Sequence, residues 1–212
     1  IQQNLGRKAP ARTYQDLLEN PHDEAVFEHY ATSRLVRLTI DGDAVPLGEP
    51  GLISRFSPSP DADYLLVEQN HRPFSYTVPA SRFPERIEVW DMEGRVVHEV
   101  ADLPLADNIP VPFGSVRTGA RSVGWRADAD ATLAWVEALD RGDAGAEAEL
   151  RDQVYTLSAP FSRAPEPLLA LDHRFGGIGW SGGETALVYG WWWPTRNQKV
   201  WKLDLGEEQP AA

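Results

Sequence analysis

The sequence predicts an all-β fold, because one hairpin pattern recurs three times along the chain. The copies are RFSPSPDADYLLVEQ from Arg55, GWRADADATLAWVEA from Gly124 and GWSGGETALVYGWWW from Gly179. Each copy consists of an aromatic strand end, a tight polar turn and a strongly apolar return strand. Hairpins that recur at intervals of about 55 to 70 residues are typical of sheets arranged radially. The predicted fold class is therefore a partial β-propeller of four-stranded antiparallel blades, with two short N-terminal helices.

The first thirty residues differ from the rest and predict two short helices within residues 13–30. Thr13 is a suitable N-cap for a first helix through Leu17 and Leu18. Asn20 is a suitable cap for the second helix. Pro21 follows it at the first helical position, and the first turn also holds Asp23 and Glu24, which the helix dipole favours.

Strand periodicity begins at Ser33, where apolar residues start to alternate with polar ones. LVRLTI and AVPL form an outer strand pair that has no inner pair before it, and a similar outer pair follows each repeated hairpin. The predicted organisation is the end of one blade at 33–48, whole blades at 51–100 and 121–171, and a partial blade at 176–205. Because propellers close with roughly four to eight blades, we expect residues 1–212 to be a segment of an incomplete ring.

The long connections between the predicted strands should share one face of the molecule. In an antiparallel sheet, alternate turns lie at the same end of the strands. The connections at 70–85, 101–120, 139–151 and 191–197 then lie at one end, and the short turns lie mostly at the other. Irregular loops often carry binding residues, although long loops are also tolerated as insertions without function.

The composition argues against several classes of function. The formal net charge of -12 at pH 7 leaves no basic stripe for phosphates, so no nucleic-acid partner is predicted. No apolar run approaches the roughly 20 residues of a membrane helix, so no membrane partner is predicted. The chain has no cysteine, and its five histidines lack the spacing of metal ligands. Neither a disulfide framework nor a metal or other cofactor is expected.

One long connection, NHRPFSYTVPASRFPER, combines cations with prolines that stiffen it. A stiff loop of this kind can present guanidinium groups to a carboxylate, whose shape they match. Arginines of other connections, including Arg174 and Arg196, would contribute to the same positive field. The alternative is that each arginine pairs with a nearby acid of the protein. The candidate substrate-binding residues are His71, Arg72, Tyr76, Arg82, Arg117 and Arg121.

The run Trp191-Trp192-Trp193 is a candidate stacking platform for sugars, or a docking surface. Side chains alternate between the two faces of a strand, so we expect at least one of these tryptophans to lie in the core. A structural role for the run is therefore the favoured interpretation.

The GWSGG segment at 179–183 matches the G-x-S-x-G pattern of the nucleophile in serine hydrolases. That nucleophile requires a strand, a sharp turn and then a helix, whereas the β-rich run ETALVYGWWW follows here. The same fold places a histidine after the serine, and no histidine follows His173. We therefore interpret Ser181 as a turn residue and predict no catalytic residue in this chain.

Four segments carry the pattern of a known family: NPHDEAVFEHYATSRLVRL, HRPFSYTVPASRFPERIEVWD, DLPLADNIPVPFGSVRTGARSVGWRADADATLAWVEALD, and RFGGIGW followed by ALVYGWWW. They resemble the propeller of glutamyl endopeptidases, a branch of the prolyl oligopeptidase family of serine peptidases. The resemblance extends from about Arg12 to Leu205, and its long loops are specific to that branch. It implies an N-terminal propeller followed by an α/β-hydrolase domain with a Ser-Asp-His triad and cleavage after Glu. No residue of this chain aligns with that triad.

The resemblance implies that the chain is the non-catalytic propeller segment of a glutamyl-specific serine endopeptidase. Such a segment would cover the active site, restrict substrate access and line the cavity between domains, with Arg72 and Arg82 facing that cavity. Its expected partners are the missing α/β-hydrolase domain, the remaining blades and a peptide substrate. The alternatives are a free-standing propeller that binds a protein or peptide through its long-loop face and, less favoured, a sugar-binding module that uses the tryptophan run.

Source and location are also expectations. The basic residues are almost all arginine, which indicates a GC-rich genome, and the bacterial and plastid members of the branch are similar across these segments. We expect a bacterial source. The sequence does not determine the location, and a periplasmic or secreted one is slightly favoured over a cytoplasmic one.

Overall fold

The computed structural model describes residues 14–206, whose secondary structure is mostly β. These residues form helix α1 (Pro21–Ala31) and a short 3-10 helix at Ala80–Arg82. The strands are β1 (Ser33–Leu38), β2 (Ala44–Pro58), β3 (Tyr64–Asn70), β4 (Glu85–Asp91), β5 (Val96–Leu103), β6 (Arg121–Trp125), β7 (Thr132–Ala138), β8 (Asp152–Ser158), β9 (Glu166–Leu171), β10 (Arg174–Ser181), β11 (Thr185–Trp192) and β12 (Asn197–Asp204). Neighbouring strands are antiparallel throughout.

Helix α1 begins where the sequence predicts the second of two N-terminal helices. The Asn20 side chain accepts hydrogen bonds from two backbone N–H groups of the first turn, at 2.9 and 3.1 Å, as an N-cap should. The prediction of a helix before it is wrong for the described residues, because 14–20 are not helical. Asp16 has a φ of 56°, which interrupts a right-handed helix. Thr13, the predicted cap, lies outside the described residues.

The strands form three sheets, with the orders β1-β2-β3-β4-β5, β6-β7-β8-β9 and β10-β11-β12. We refer to them as the first, middle and third sheets. The three repeated hairpins of the sequence are the turns from β2 to β3, from β6 to β7 and from β10 to β11. Strands are therefore present in each segment that was predicted as a blade, whereas the assembly of these sheets into a propeller stays a prediction.

Strand β2 is longer than the sequence predicts. The end of the outer pair and the start of the first hairpin form one strand of 15 residues, which pairs first with β1 and then with β3. Gly48 lies where the pairing with β1 becomes irregular. Its φ is +62°, and a Cβ there would lie 2.4 Å from the ring of Trp90 on β4, so this position requires glycine. The predicted end of one blade at 33–48 is thus continuous with the first sheet.

Two hydrophobic cores lie between consecutive sheets. The first core lies between the first and middle sheets. The first sheet contributes Leu66, Ile87, Val89 and Leu103, and the middle sheet contributes Val123, Leu133, Trp135 and Leu157. The second core lies between the middle and third sheets. The middle sheet contributes Val136, Val154 and Leu171, and the third sheet contributes Ala186, Val188 and Leu203. Successive residues of β7 face opposite cores because side chains alternate along a strand. The middle sheet is therefore buried on both faces.

The third sheet has one covered face and one exposed face. On β11, Ala186 and Val188 are buried against the middle sheet, whereas Leu187, Tyr189 and Trp191 alternate with them and are 36 to 45% exposed. This exposed apolar face lies at one end of the stack that residues 14–206 form.

Candidate functional site: the long-loop face

The long connections lie at one end of the sheets, as the strand parity predicts. They are residues 71–84, 104–120, 139–151 and 193–196, which we call the first to fourth loops of the long-loop face. Neighbouring loops are bonded to each other. The N–H of Ala106 donates to the carbonyl of Arg82, and the N–H of Val116 donates to the carbonyl of Gly142, both at 2.9 Å. The first three loops are therefore joined into one surface.

The contact between the second and third loops requires a glycine at 142. Gly142 has a φ of +75°, and a Cβ there would lie 2.1 Å from the carbonyl oxygen of Val116. The N–H of Gly142 also donates to Asp140 Oδ1 at 3.1 Å. Arg141, between these two residues, is held at a φ of 58°. A larger side chain at 142 would separate the two loops.

Arg72, the first of the predicted substrate-binding arginines, is bound by helix α1. Its guanidinium donates to Glu24 at 2.6 Å and to Glu28 at 2.9 Å, and it lies 4.6 Å from the centre of the Phe74 ring. Hydrogen bonds from Arg72 and then Tyr76 lower the pKa of Glu24 below its usual value. Arg72 and Tyr76 therefore attach the first loop to the helix.

His71 and Arg82 lie on the same loop but contact other elements. His71 Nε2 is 2.8 Å from Asp102 Oδ1 on β5, and Arg86 donates to the other oxygen of that carboxylate at 3.2 Å. Burial acts to raise the pKa of Asp102, but these two bonds outweigh it, and the pKa lies below its usual value. Arg82 lies 5.2 Å from the centre of the Tyr14 ring, and none of the carboxylates in residues 14–206 pairs with it.

Arg117 and Arg121 lie beside a cavity of about 220 Å³ between the first and middle sheets. Arg117 Nη2 donates to the carbonyl of Pro104 at 3.0 Å, while Nη1 is 3.7 Å from Glu85 Oε2. Burial lowers the pKa of Arg117, and the charge of Glu85 only partly opposes this effect. Arg121 Nη2 donates to Asp152 Oδ1 at 2.8 Å, and its buried Nε has no partner among the described residues.

Two buried aspartates anchor the loops to the middle and third sheets. The side chains of Asp140 and Asp152 are 0% exposed, and together they accept hydrogen bonds from Arg121, Arg151 and Arg174. Arg174 donates to both aspartates, at 2.7 and 2.9 Å, and to a backbone carbonyl of the second loop at 2.7 Å. Three cations face two carboxylates, so this buried cluster carries one net positive charge. It fixes the positions of the second and third loops.

The structure divides the six predicted residues into two groups. The first group, which contacts helix α1, strand β5 and Tyr14, comprises His71, Arg72, Tyr76 and Arg82. The second group, between the first and middle sheets, comprises Arg117 and Arg121. No cavity described in residues 14–206 is lined by both groups. A role of either group in substrate binding stays a prediction.

Sequence reasoning missed two features of this face. The first is Arg141, whose Asp-Arg-Gly context at 140–142 is a recognisable turn signal. The second is the pair of buried aspartates, Asp140 and Asp152. Aspartates are common in turns and at strand ends, so nothing in the sequence indicates that these two are buried. Arg141 lines a cavity of about 300 Å³ together with Arg117.

The tryptophan run lies beside the fourth loop. Trp191 is 36% exposed, and neither Trp192 nor Trp193 is buried, so the expectation of a core tryptophan is wrong. One reason is that Trp191 lies on the exposed face of the third sheet. The other is that Trp192 contacts the guanidinium of Arg151, at 4.3 Å, and no hydrophobic core. Trp193 packs against Phe113 of the second loop, with ring centres 4.9 Å apart.

The GWSGG segment forms a hairpin turn. Strand β10 ends at Ser181 and strand β11 begins at Thr185, so a strand and not a helix follows the turn. His173 lies at the opposite end of β10.

Within residues 14–206, no three His, Asp or Glu side chains are grouped as a metal ion requires. The helices of that range are too short or too polar to cross a bilayer.

The described residues define a β-protein of stacked antiparallel sheets with an arginine-bearing face of long loops. No family model matches the sequence. The chain is 45% identical over 194 residues to a probable glutamyl endopeptidase, chloroplastic, of Oryza sativa subsp. japonica. It is 46% identical over 197 residues to the protein of the same description in Arabidopsis thaliana.

These matches cover 91 and 92% of this chain but only 21 and 20% of the two relatives. The chain therefore spans about a fifth of the length of the relatives it matches. Over nearly its whole length it is related to glutamyl endopeptidase-like proteins. Both relatives are plant proteins, so they give no support to the expected bacterial source.

Proposed function

We propose that the chain is the non-catalytic propeller segment of a glutamyl-specific serine endopeptidase of the prolyl oligopeptidase family. The observation that carries the proposal is the identity of 45 and 46%, over more than nine-tenths of the chain, to probable glutamyl endopeptidases. The stacked sheets support the propeller part, because each consecutive pair buries a core between its faces. The strand that follows Ser181 supports the non-catalytic part.

In this proposal the long-loop face lines the cavity between the propeller and an α/β-hydrolase domain. It covers the active site there and restricts access by peptides. Loops fixed to rigid sheets suit this role, and the loops here are bonded both to one another and to the buried aspartates. A substrate glutamate offers a carboxylate, which guanidinium groups bind with matched geometry.

The proposed partners of the segment are the remaining blades, the hydrolase domain and a peptide substrate. The exposed face of the third sheet supports a neighbouring blade, because apolar side chains in a row on a sheet face are typical of a surface that another element covers. The first loop supports a substrate role for Arg82, since no described carboxylate neutralises its charge.

The test uses the intact protein encoded by the complete gene, assayed with two peptides that differ only in Glu or Gln at the cleavage position. We expect cleavage after Glu, and we expect Arg72→Ala and Arg82→Ala each to lower the ratio of kcat/KM for Glu to that for Gln. Arg163→Ala is the matched control, because Arg163 is exposed in the link from β8 to β9, on the opposite face.

An unchanged preference in both variants would overturn the role of the first loop. An intact protein that binds the peptides but cleaves neither would overturn the peptidase proposal and favour the free-standing binding module.

A further inference from the structure

The long-loop face contains a cavity of about 300 Å³ whose walls come from the second loop and the tip of the third. Its apolar lining residues are Pro104, Leu105, Ala106, Ile109, Pro110 and Val116, and the uncharged polar residues Asn108 and Thr118 line it as well. Two arginines, Arg117 and Arg141, line the same cavity, and no Asp or Glu does so among the described residues. In a chain with a formal net charge of -12, this is a local concentration of positive charge.

The charge of Arg117 is only partly compensated. Its side chain is 15% exposed, and its separation of 3.7 Å from Glu85 is too long for a hydrogen bond. Its one short bond, at 3.0 Å, is to the neutral carbonyl of Pro104. A half-buried cation whose counterion makes no hydrogen bond to it still attracts a further anion, because the surroundings screen the charge less than water does.

Arg141 has no carboxylate partner within residues 14–206, and its backbone is fixed. A residue other than glycine at a φ of 58° costs about 1 kcal/mol or more, and such strain concentrates at binding sites. Asp140 holds it from one side, through the buried cluster. Gly142 holds it from the other, through the bond to Val116. The rim of the cavity therefore presents Arg141 from a rigid turn.

We infer that this cavity binds a carboxylate of a peptide, with the guanidinium groups of Arg117 and Arg141 as its ligands. The apolar walls accommodate the methylene groups of an acidic side chain, and the volume fits one such side chain and its neighbours. A peptide C-terminus offers the same carboxylate. The use of the site in proteolysis rests on the proposed function, whereas binding is a property of this chain.

The experiment measures fluorescence anisotropy of the 212-residue chain with short peptides that carry a neutral N-terminal dye. Three peptides are compared: one amidated with a central Glu, one amidated with a central Gln, and the Gln peptide with a free C-terminus. We expect the Glu peptide to bind about 10-fold or more tightly than the amidated Gln peptide, as for hydrogen bonds between charged groups.

Arg141→Gln is expected to remove this difference, because Gln keeps the polar side chain but loses the charge and the guanidinium fork. Arg117→Gln is expected to act in the same direction, with far-UV circular dichroism to verify folding. Arg163→Gln, on the opposite face, is the matched control and should change nothing.

Equal binding of all three peptides, or no effect of Arg141→Gln, would overturn the inference. Arg141-dependent binding of the free C-terminus alone would support it and assign the cavity to chain ends. The two proposals fail separately. If the intact protein does not cleave the peptides, the proposed function fails but the binding measurement still tests the cavity. If the isolated chain shows no preference for Glu in binding, the inference about the cavity fails but the cleavage assay still tests the proposed function.

Discussion

Asp152 binds two guanidinium groups in the interior with a single carboxylate. Its side chain is 0% exposed and accepts bonds from Arg121 at 2.8 Å, from Arg174 at 2.9 Å and from the N–H of Phe175 at 2.8 Å. Asp152→Asn keeps the shape but leaves these cations undercompensated in a buried site. We expect the free energy of unfolding in urea to fall by about 3–5 kcal/mol.

The matched control for that prediction is Asp204→Asn. Asp204 pairs with Lys202 at 2.7 Å, but both side chains are more than half exposed. Exposed pairs contribute at most about 1 kcal/mol, so the control should unfold almost like the unmodified chain. Similar losses in the two variants would contradict the importance assigned to the buried cluster.

At the residue scale, the sequence predicted which residue types matter but not their partners. The alternative that each arginine pairs with an acid of the protein describes Arg72 and Arg121 well. Arg72 is 44 residues from Glu28 along the chain, and no local spacing reports such a pair. The burial of Asp152 was not predictable either, because it depends on how sheets stack and not on local pattern.

At the element scale, the three repeated hairpins are linked by carboxylates in their turns. Asp61, in the first turn, accepts a bond from the N–H of Ala131 in the second at 3.2 Å. Asp128, in the second turn, accepts one from the N–H of Gly183 in the third at 3.0 Å. A turn carboxylate thus joins each sheet to the next at the short-turn end.

The first of these links predicts a dependence of stability on pH. Hydrogen bonds from Ser59, and from backbone N–H groups that include Ala131, lower the pKa of Asp61 although burial opposes them. Its contribution to stability is therefore complete above the usual Asp pKa of about 3.9 and is lost as the pH falls through the lowered pKa. Asp61→Asn should flatten the decline of the unfolding free energy between about pH 5 and pH 2.5.

Asp63→Asn is the control for that titration, since Asp63 lies in the same turn and its carboxylate takes no part in the link to Ala131. We expect its pH profile to be parallel to that of the unmodified chain. Urea denaturation at several pH values measures the three slopes. The interpretation fails if Asp61→Asn retains the original slope.

The elements were the most predictable part of the molecule. Alternation and turn residues identified the hairpins, and strand parity placed the long loops together, because both depend on local periodicity. The exceptions arose from tertiary structure. The continuous strand β2 depends on Gly48 beside Trp90. The absence of a helix at 14–20 accompanies the packing of Leu18 against the buried cluster that contains Phe74 and Phe83.

At the scale of the whole molecule, the middle sheet joins the two hydrophobic cores. Leu133 of β7 is fully buried in the first core, and Leu171 of β9 is fully buried in the second. Loss of order in this sheet would expose both cores. The three sheets should therefore unfold together and not one at a time.

Two substitutions test this cooperativity. Leu133→Ala and Leu171→Ala each remove a fully buried side chain, one from each core, and each should cost about 2–5 kcal/mol. Because the cores share a sheet, both variants should show one transition in urea, with coincident midpoints by tryptophan fluorescence and far-UV circular dichroism. The fluorescence is the sum of eight tryptophans, of which Trp125 and Trp135 lie at the first core and Trp180 and Trp201 at the second. Leu187→Ala, 39% exposed on the third sheet, should cost far less, and a second transition in either core variant would contradict a single folding unit.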